Sequence, residues 1–356
     1  LKSALSAEKQ AQKMSRDTVP VTTSWQRRSL RWLPWIVAFG VLLILYRTVS
    51  LDAVIATIAQ LTWEQLGVLF VANVVVLLVL NGRWWLILAA QGYRLPFLTL
   101  TGYRLAAFGL SYFTPGPHFG GEPLQVLLVE RNHAVPRPVA VAAMTVDKAL
   151  ELIVNFFFLI AGVLIIVEVG LLAGNARVAA TMLSLLLFVL PVVLIGALWR
   201  GRQPLSGLVG IGQAGVTRLS GSWGNKYSAM VQGLQHSEHE ATLFLRDSAE
   251  TFIYATLVSV LSWLLMLAEY WLLVAFLGIE LTIVQLLVSY TAARIAFLMP
   301  LPGGLGTLDA GLALIFAALG LDPAIGLSAS LVIHARNVIL GGLGLWWGSR
   351  RLQVQS

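Results

Sequence analysis

Six stretches of this chain are apolar for the length that a lipid bilayer demands. A helix rises about 1.5 Å per residue, so about 20 apolar residues cross the hydrocarbon core. The candidate spans are 34–50, 65–90, 139–167, 176–199, 251–277 and 324–348. Inside lipid every backbone N–H and C=O must find its partner within the protein, which leaves helices or closed barrels. Unbroken apolar runs of this length are helical. Of the 356 residues, 58% are hydrophobic and 12% charged, whereas soluble domains carry about 25% charge. The fold class expected is therefore an all-α polytopic membrane protein with about six full spans. The chain has no cysteine, which excludes disulfides and thiolate metal sites. Its twelve tryptophans suit the aromatic belts at membrane interfaces.

Two further apolar regions, 97–134 and 283–320, are broken in the middle by "TPGPHFGGEP" (114–123) and "PLPGGLGTLDAG" (300–311). Proline and glycine interrupt helices and free backbone polar groups, which membranes tolerate only where the backbone is buried in protein or lines a cavity. Each half is too short to span comfortably, so both regions read as helical hairpins that re-enter the membrane. Candidate helix-break residues lining a cavity are Pro115, Gly116, Gly120, Gly121, Pro302, Gly303, Gly304, Gly306 and Asp309. Glu122 and Asp309 each open a helix after a glycine turn, where a carboxylate caps free N–H groups and suits the helix dipole.

The basic residues set the expected topology. Residues 1–33 form a basic cytoplasmic tail. A first membrane half covers 34–199, a cytoplasmic loop 200–250, a second half 251–350, and a cytoplasmic tail 351–356. The segments 51–64, 168–175, 278–282 and 320–323 lack Lys and Arg and fall outside, while Arg94, Arg104, Arg131 and Arg137 mark the inner ends of the first hairpin. Both termini are expected on the cytoplasmic side of a bacterial-type inner membrane. Within 200–250, "HSEHE" (236–240) reads as a solvated charge cluster and not a metal site. The loop is Gly-, Ser- and charge-rich, with room for an amphipathic helix on the membrane surface.

The two broken regions repeat. With Pro115 laid on Pro302, a shift of 187 residues, Gly116 meets Gly303, Tyr103 meets Tyr290, Glu122 meets Asp309, Pro136 meets Pro323 and Asp147 meets His334. Three spans separate equivalent points, an odd number, so the second copy is inverted. Inverted repeats with interrupted helices are a transporter architecture.

Ionisable residues inside the spans are costly and face partners or cavities. Asp147, Lys148 and Glu151 lie in the 139–167 span, Glu269 in 251–277, Arg294 before the second break, and His334, Arg336 and Asn337 in 324–348. One reading makes Arg294 and Arg336 a phosphate site. The other pairs Arg336 and His334 with Asp147 or Glu151 to hold the halves together. "GGLGLWWG" (341–348) suits close helix packing, and Asn73, Asn81 and Asn155 suit interhelical hydrogen bonds. No dinucleotide fingerprint, P-loop, G-x-S-x-G or H-E-x-x-H occurs. No cofactor, metal or nucleic acid is expected.

The stretches "PGPHFGGEPLQVLLVERNHAVPRPVAVAAMTVDKALEL" and "RIAFLMPLPGGLGTLDAGLALIFAALGLDPAIGLSASLVIHARNVI" resemble the lysylphosphatidylglycerol synthase transmembrane-region family of flippase-like proteins. The family motifs fall here on Pro115, Gly121 and Glu122; on Asp147, Lys148 and Glu151; on Pro302, Gly303, Gly304, Gly306 and Asp309; and on Arg336. Lys148 stands where the family has arginine and does not reproduce its planar fork. The resemblance implies movement of a phospholipid between leaflets. The chain ends shortly after its last span, so a stand-alone member without the soluble aminoacyl-transfer domain is expected.

The function expected is thus lipid translocation through a cavity between the inverted repeats, without enzymatic activity. The candidate head-group residues are Glu122, Asp147, Lys148, Glu151, Arg294, His334 and Arg336. The expected partners are membrane lipids, anionic or aminoacylated, with a second copy of the chain or a lipid-modifying enzyme as further candidates. The alternatives are a membrane enzyme on a lipid-linked substrate, such as a glycosyltransferase, and a secondary transporter of a small anion.

Overall fold

A computed structural model describes residues 51–114, 120–211, 221–299 and 301–353. The expected span 34–50, the tail 1–33, Pro115 and Gly116 lie outside the described residues. Among those described, the chain forms twelve α-helices, one 3-10 turn and no strand. In order they are α1 (Leu51–Ala59), α2 (Trp63–Ala90), α3 (Phe97–Phe113), α4 (Glu122–His133), α5 (Arg137–Glu168), α6 (Gly174–Trp199), α7 (Pro204–Ile211), α8 (Gly221–Asp247), α9 (Ala249–Phe276), α10 (Ile283–Leu298), α11 (Thr307–Ala318) and α12 (Pro323–Gln353). Helices α2, α5, α6, α9 and α12 are long and apolar enough to cross a membrane. They correspond to five of the six expected spans. The interrupted regions became pairs of short helices, α3–α4 and α10–α11.

Local chemistry sets the boundaries. Thr62 opens α2 with a reciprocal cap: its side chain accepts from Gln65 N while Gln65 Oε1 accepts from Thr62 N at 2.9 Å, so two free donors are satisfied together. Thr282 and Gln285 do the same for α10. Pro123 lies in the first turn of α4 and Pro138 in that of α5, where a missing N–H costs nothing.

The repeat is visible in the packing. Trp63–Ala90 and Ala249–Phe276 are both 28 residues long, and both ends differ by 186. The following short–short–long series, α3–α4–α5 and α10–α11–α12, repeats in the same order. Equivalent helices α2 and α9 pack on each other. Asn73 reaches Glu269 while Arg83 reaches Ser259, so numbers rise along one helix as they fall along the other. The equivalents therefore run antiparallel, as an inverted repeat requires. Helix α3 packs on α12 and, reciprocally, α10 on α5.

Small residues permit the closest of these contacts. A Cβ on Gly341 of α12 would stand 3.3 Å from Gly109 Cα of α3, in keeping with the packing role read for "GGLGLWWG". Asn73, Asn81 and Asn155 all bond across helices, to Glu269, to Phe97 O with Thr101, and to Arg294 respectively.

The reading of 200–250 as a loop needs correction. Helix α8 is 27 residues long and packs on α5, α6, α7 and α9. The "HSEHE" cluster is not uniformly solvated either. His236 and His239 are exposed, but Glu238 is buried. Its carboxylate accepts from Leu205 N at 2.6 Å, Ser206 N at 3.1 Å and Ser206 Oγ at 2.5 Å. Glu238 thus satisfies the free N–H groups that open α7, a long-range cap that no local spacing announces.

Candidate functional site

The first break ends on Gly121. A Cβ there would lie 2.8 Å from Ala107 Cα, so only glycine lets the chain turn so close to α3. Its N–H donates to Ser111 Oγ at 2.8 Å. Glu122 then opens α4, and its Oε2 accepts from Gly120 N at 2.8 Å. The other oxygen, Oε1, pairs with Lys148 Nζ at 3.1 Å. Lys148 also reaches Glu151 at 2.8 Å, one helical turn along α5.

Behind this pair lies a group centred on two buried side chains, Arg83 and Asp147. Arg83 of α2 grips Asp147 through Nε at 2.7 Å and Nη2 at 3.1 Å, and Nη2 also meets Glu151 at 3.0 Å. Arg104 of α3 reaches the same Asp147 at 2.6 Å. Arg83 and Asp147 are each 1% exposed. At that depth an uncompensated charge is prohibitive, and a removed partner costs about 3–5 kcal/mol. The group is neutral as built: Arg83, Arg104 and Lys148 balance Glu122, Asp147 and Glu151.

Neither arginine stood among the candidate site residues. Arg104, expected as a charge marking the inner end of the hairpin, is buried and pairs with Asp147 instead. The signal for Arg83 was available, since it is the single charge in an apolar run. Seven residues from the end of α2, it passes for a snorkelling residue.

The second break is built differently. Gly303, Gly304 and Gly306 all have positive φ, at 60°, 71° and 79°, and a Cβ on Gly303 would meet the ring of Tyr112 at 2.8 Å. Asp309 closes the turn. One of its oxygens accepts from Gly306 N at 2.8 Å; the other accepts from Ser330 Oγ at 2.6 Å and lies 3.3 Å from His334 Nε2. His334 Nδ1 lies 3.1 Å from the hydroxyl of Tyr112 on α3.

The remaining candidate cations have other partners. Arg336 pairs with Glu269 of α9 and donates to Asn337 at 3.1 Å. Arg294 donates to Asn155 at 2.9 Å, with its guanidinium 4.8 Å from the centre of the Trp263 ring, a cation–π distance. Pairing of Arg336 or His334 with Asp147 or Glu151 is therefore corrected. The inverted fold puts those partners in separate groups, each with its own counter-charge. Of the candidate residues, Glu122, Asp147, Lys148 and Glu151 form one cluster, while His334, Arg336 and Arg294 each pair separately, with Asp309, Glu269 and Asn155.

A cavity of about 470 Å³ touches the first-half cluster. It lies between α4, α5 and α6. Glu122, Lys148 and Arg137 supply its charge and Thr145 a hydroxyl; Val126, Val141, Met144, Leu152, Leu190, Pro191 and Leu194 supply apolar wall. It sits on the first half, not between the repeats. Arg294, His334 and Arg336 do not line it.

The equivalent recess of the second half is filled. At the 187-residue shift, Val126, Arg137 and Val141 correspond to Ala313, Ala324 and Ser328. There Val54 of α1, 2% exposed, packs on Ala313, Ala324 and Leu327, and its carbonyl lies 3.5 Å from Ser328 Oγ. An apolar helix occupies in one half what is open in the other.

A polytopic helical membrane protein, folded from two inverted four-helix units with broken hairpins, is the class that these features define. Residues 31–344 match the family described as the lysylphosphatidylglycerol synthase TM region, and the chain belongs to that family. It is similar to a UPF0104 membrane protein of Methanocaldococcus jannaschii, at 20% identity over 86% of this chain and 90% of that protein. It is also similar to a UPF0104 membrane protein of Methanothermobacter thermautotrophicus, at 22% identity over 74% and 78%. No solved structure matches the chain.

Proposed function

We propose that the protein moves phospholipids between membrane leaflets as a carrier, without covalent chemistry. The observation that carries this reading is the cavity beside the first break. It combines a polar end, where Lys148 pairs with Glu122 at 3.1 Å, with a wall of leucine, valine and proline from α4, α5 and α6. A phosphate matches Lys148 and an amine matches Glu122, while acyl chains match the apolar wall. A small soluble anion has no use for that wall, which places the secondary-transporter reading second.

The short paired helices α3–α4 and α10–α11 act in this reading as re-entrant hairpins that bring free N–H groups to membrane depth. The family description names lysylphosphatidylglycerol, and anionic or aminoacylated phospholipids of a cytoplasmic membrane are the expected cargo.

The test is reconstitution with head-group-labelled phospholipids and bleaching of the label from outside. Wild type should expose inner-leaflet lipid. Lys148→Ala and Glu122→Ala should slow exposure by about tenfold, equivalent to about 1.4 kcal/mol on the barrier. A correctly folded wild type that moves no lipid of several head groups, with or without a pH gradient, would remove the proposal.

A further inference from the structure

The charged members that α2 and α9 contribute to the charge groups occupy equivalent positions of the repeat. At the 186-residue shift that superposes α2 on α9, Arg83 corresponds to Glu269 and Asn73 to Ser259. The contacts respect that correspondence: Arg83 donates to Ser259 at 3.2 Å, and Asn73 donates to Glu269 at 3.3 Å. Each charged member then reaches the long helix after the break of its own half. Arg83 pairs with Asp147 on α5, and Glu269 pairs with Arg336 on α12. The sign is reversed between the halves, arginine on α2 and glutamate on α9.

Their depths are also symmetric. Arg83 and Glu269 each stand seven residues before the end of their helix, about 10 Å along the axis at 1.5 Å per residue. Because α2 and α9 are antiparallel, the two layers lie toward opposite faces, about 15 Å apart. The layers are not equally closed. Arg83 and Asp147 have side chains 2% exposed, whereas that of Arg336 is 32% exposed.

We infer that these layers are the two gates of an alternating-access cycle, Arg83–Asp147–Ser259 closing one face and Glu269–Arg336–Asn73 the other. Ion pairs suit gates at membrane depth. A parted pair regains the hydration that burial removed, so open and closed states differ by little, whereas a parted apolar layer loses its burial outright. Inverted repeats supply the second state, because exchanging the conformations of the two halves exchanges which layer is closed. The inference rests on the transport reading for its purpose, but its test does not require transport.

The chain has no cysteine, so single reporters are read without background. Val76 and Ser262 are equivalent at the same shift, 5% and 1% exposed. They lie about one turn inside the Asn73 and Ser259 layers respectively. Val76→Cys and Ser262→Cys are labelled in sealed vesicles with a membrane-impermeant maleimide from either face. Glu269→Gln should speed labelling of Val76→Cys about tenfold, from the face where α2 begins only. Arg83→Gln should do so for Ser262→Cys from the opposite face only. The exchange Glu269→Arg with Arg336→Glu should restore protection of Val76→Cys even where Arg83→Gln fails to fold.

Labelling that rises equally from both faces, or does not rise, overturns the gates. One-sided labelling without lipid movement in the head-group assay would retain the gates and overturn the lipid reading; lipid movement without one-sided labelling would do the reverse.

Discussion

At the scale of single residues, Asp147 carries the largest burden. It receives two bonds from Arg83 and one from Arg104, and is itself 1% exposed. Asp147→Ala strands Arg104 and leaves Arg83 with only Glu151 and Ser259, and should destabilise the protein by about 3–5 kcal/mol, read as loss of the monodisperse peak or a fall in Tm in detergent. Arg83→Lys should recover only part of the stability lost in Arg83→Ala, because an ammonium cannot bridge both oxygens of Asp147 and still reach Glu151. The candidate charges at 147, 148 and 151 were legible as costly intramembrane residues. Their partners were not, since Arg83 is 64 residues away and only packing of α2 on α5 joins them.

At the scale of elements, the two hairpins reach one shape by different devices. The first uses a glycine pressed against the α3 backbone. The second uses three glycines with positive φ and an aspartate that holds the turn closed. Gly303→Ala should cost about 1–2 kcal/mol for the left-handed backbone alone, with more from contact with Tyr112, measured as a Tm shift. Asp309→Asn should be milder than Asp309→Ala, since the amide oxygen still accepts from Gly306 N. If the two variants are equal in Tm, the aspartate is not acting as a cap. Both breaks were apparent in the sequence because proline and glycine act locally. The region 200–250 misled for the opposite reason. Its polar composition resembles a loop, yet Glu238 caps α7 from 33 residues away and α8 packs on the membrane helices.

At the scale of the whole molecule, the pseudo-twofold relation organises the protein. It pairs α2 with α9 and exchanges α3–α12 for α10–α5. It also puts α1 where the other half keeps a cavity. The two charge layers share no residue and stand about 15 Å apart. Stability losses in Arg83→Gln and Glu269→Gln should therefore add to within about 0.5 kcal/mol in the double variant, by denaturation in detergent. Coupling well beyond that in stability would mean that the layers form one network and not two.

The sequence by itself determined the membrane class, five of the described spans, the two breaks and the inverted repeat. Each of these follows from properties local to a few dozen residues: apolar length, helix breakers and the parity of crossings. Tertiary structure alone decided which charges share a group and which residues of α4, α5 and α6 line the cavity described on the first half. Those outcomes depend on which helix faces meet. In a chain that is apolar on nearly every face, hydropathy does not choose among them; close approach at glycine and the pairing of buried charges do.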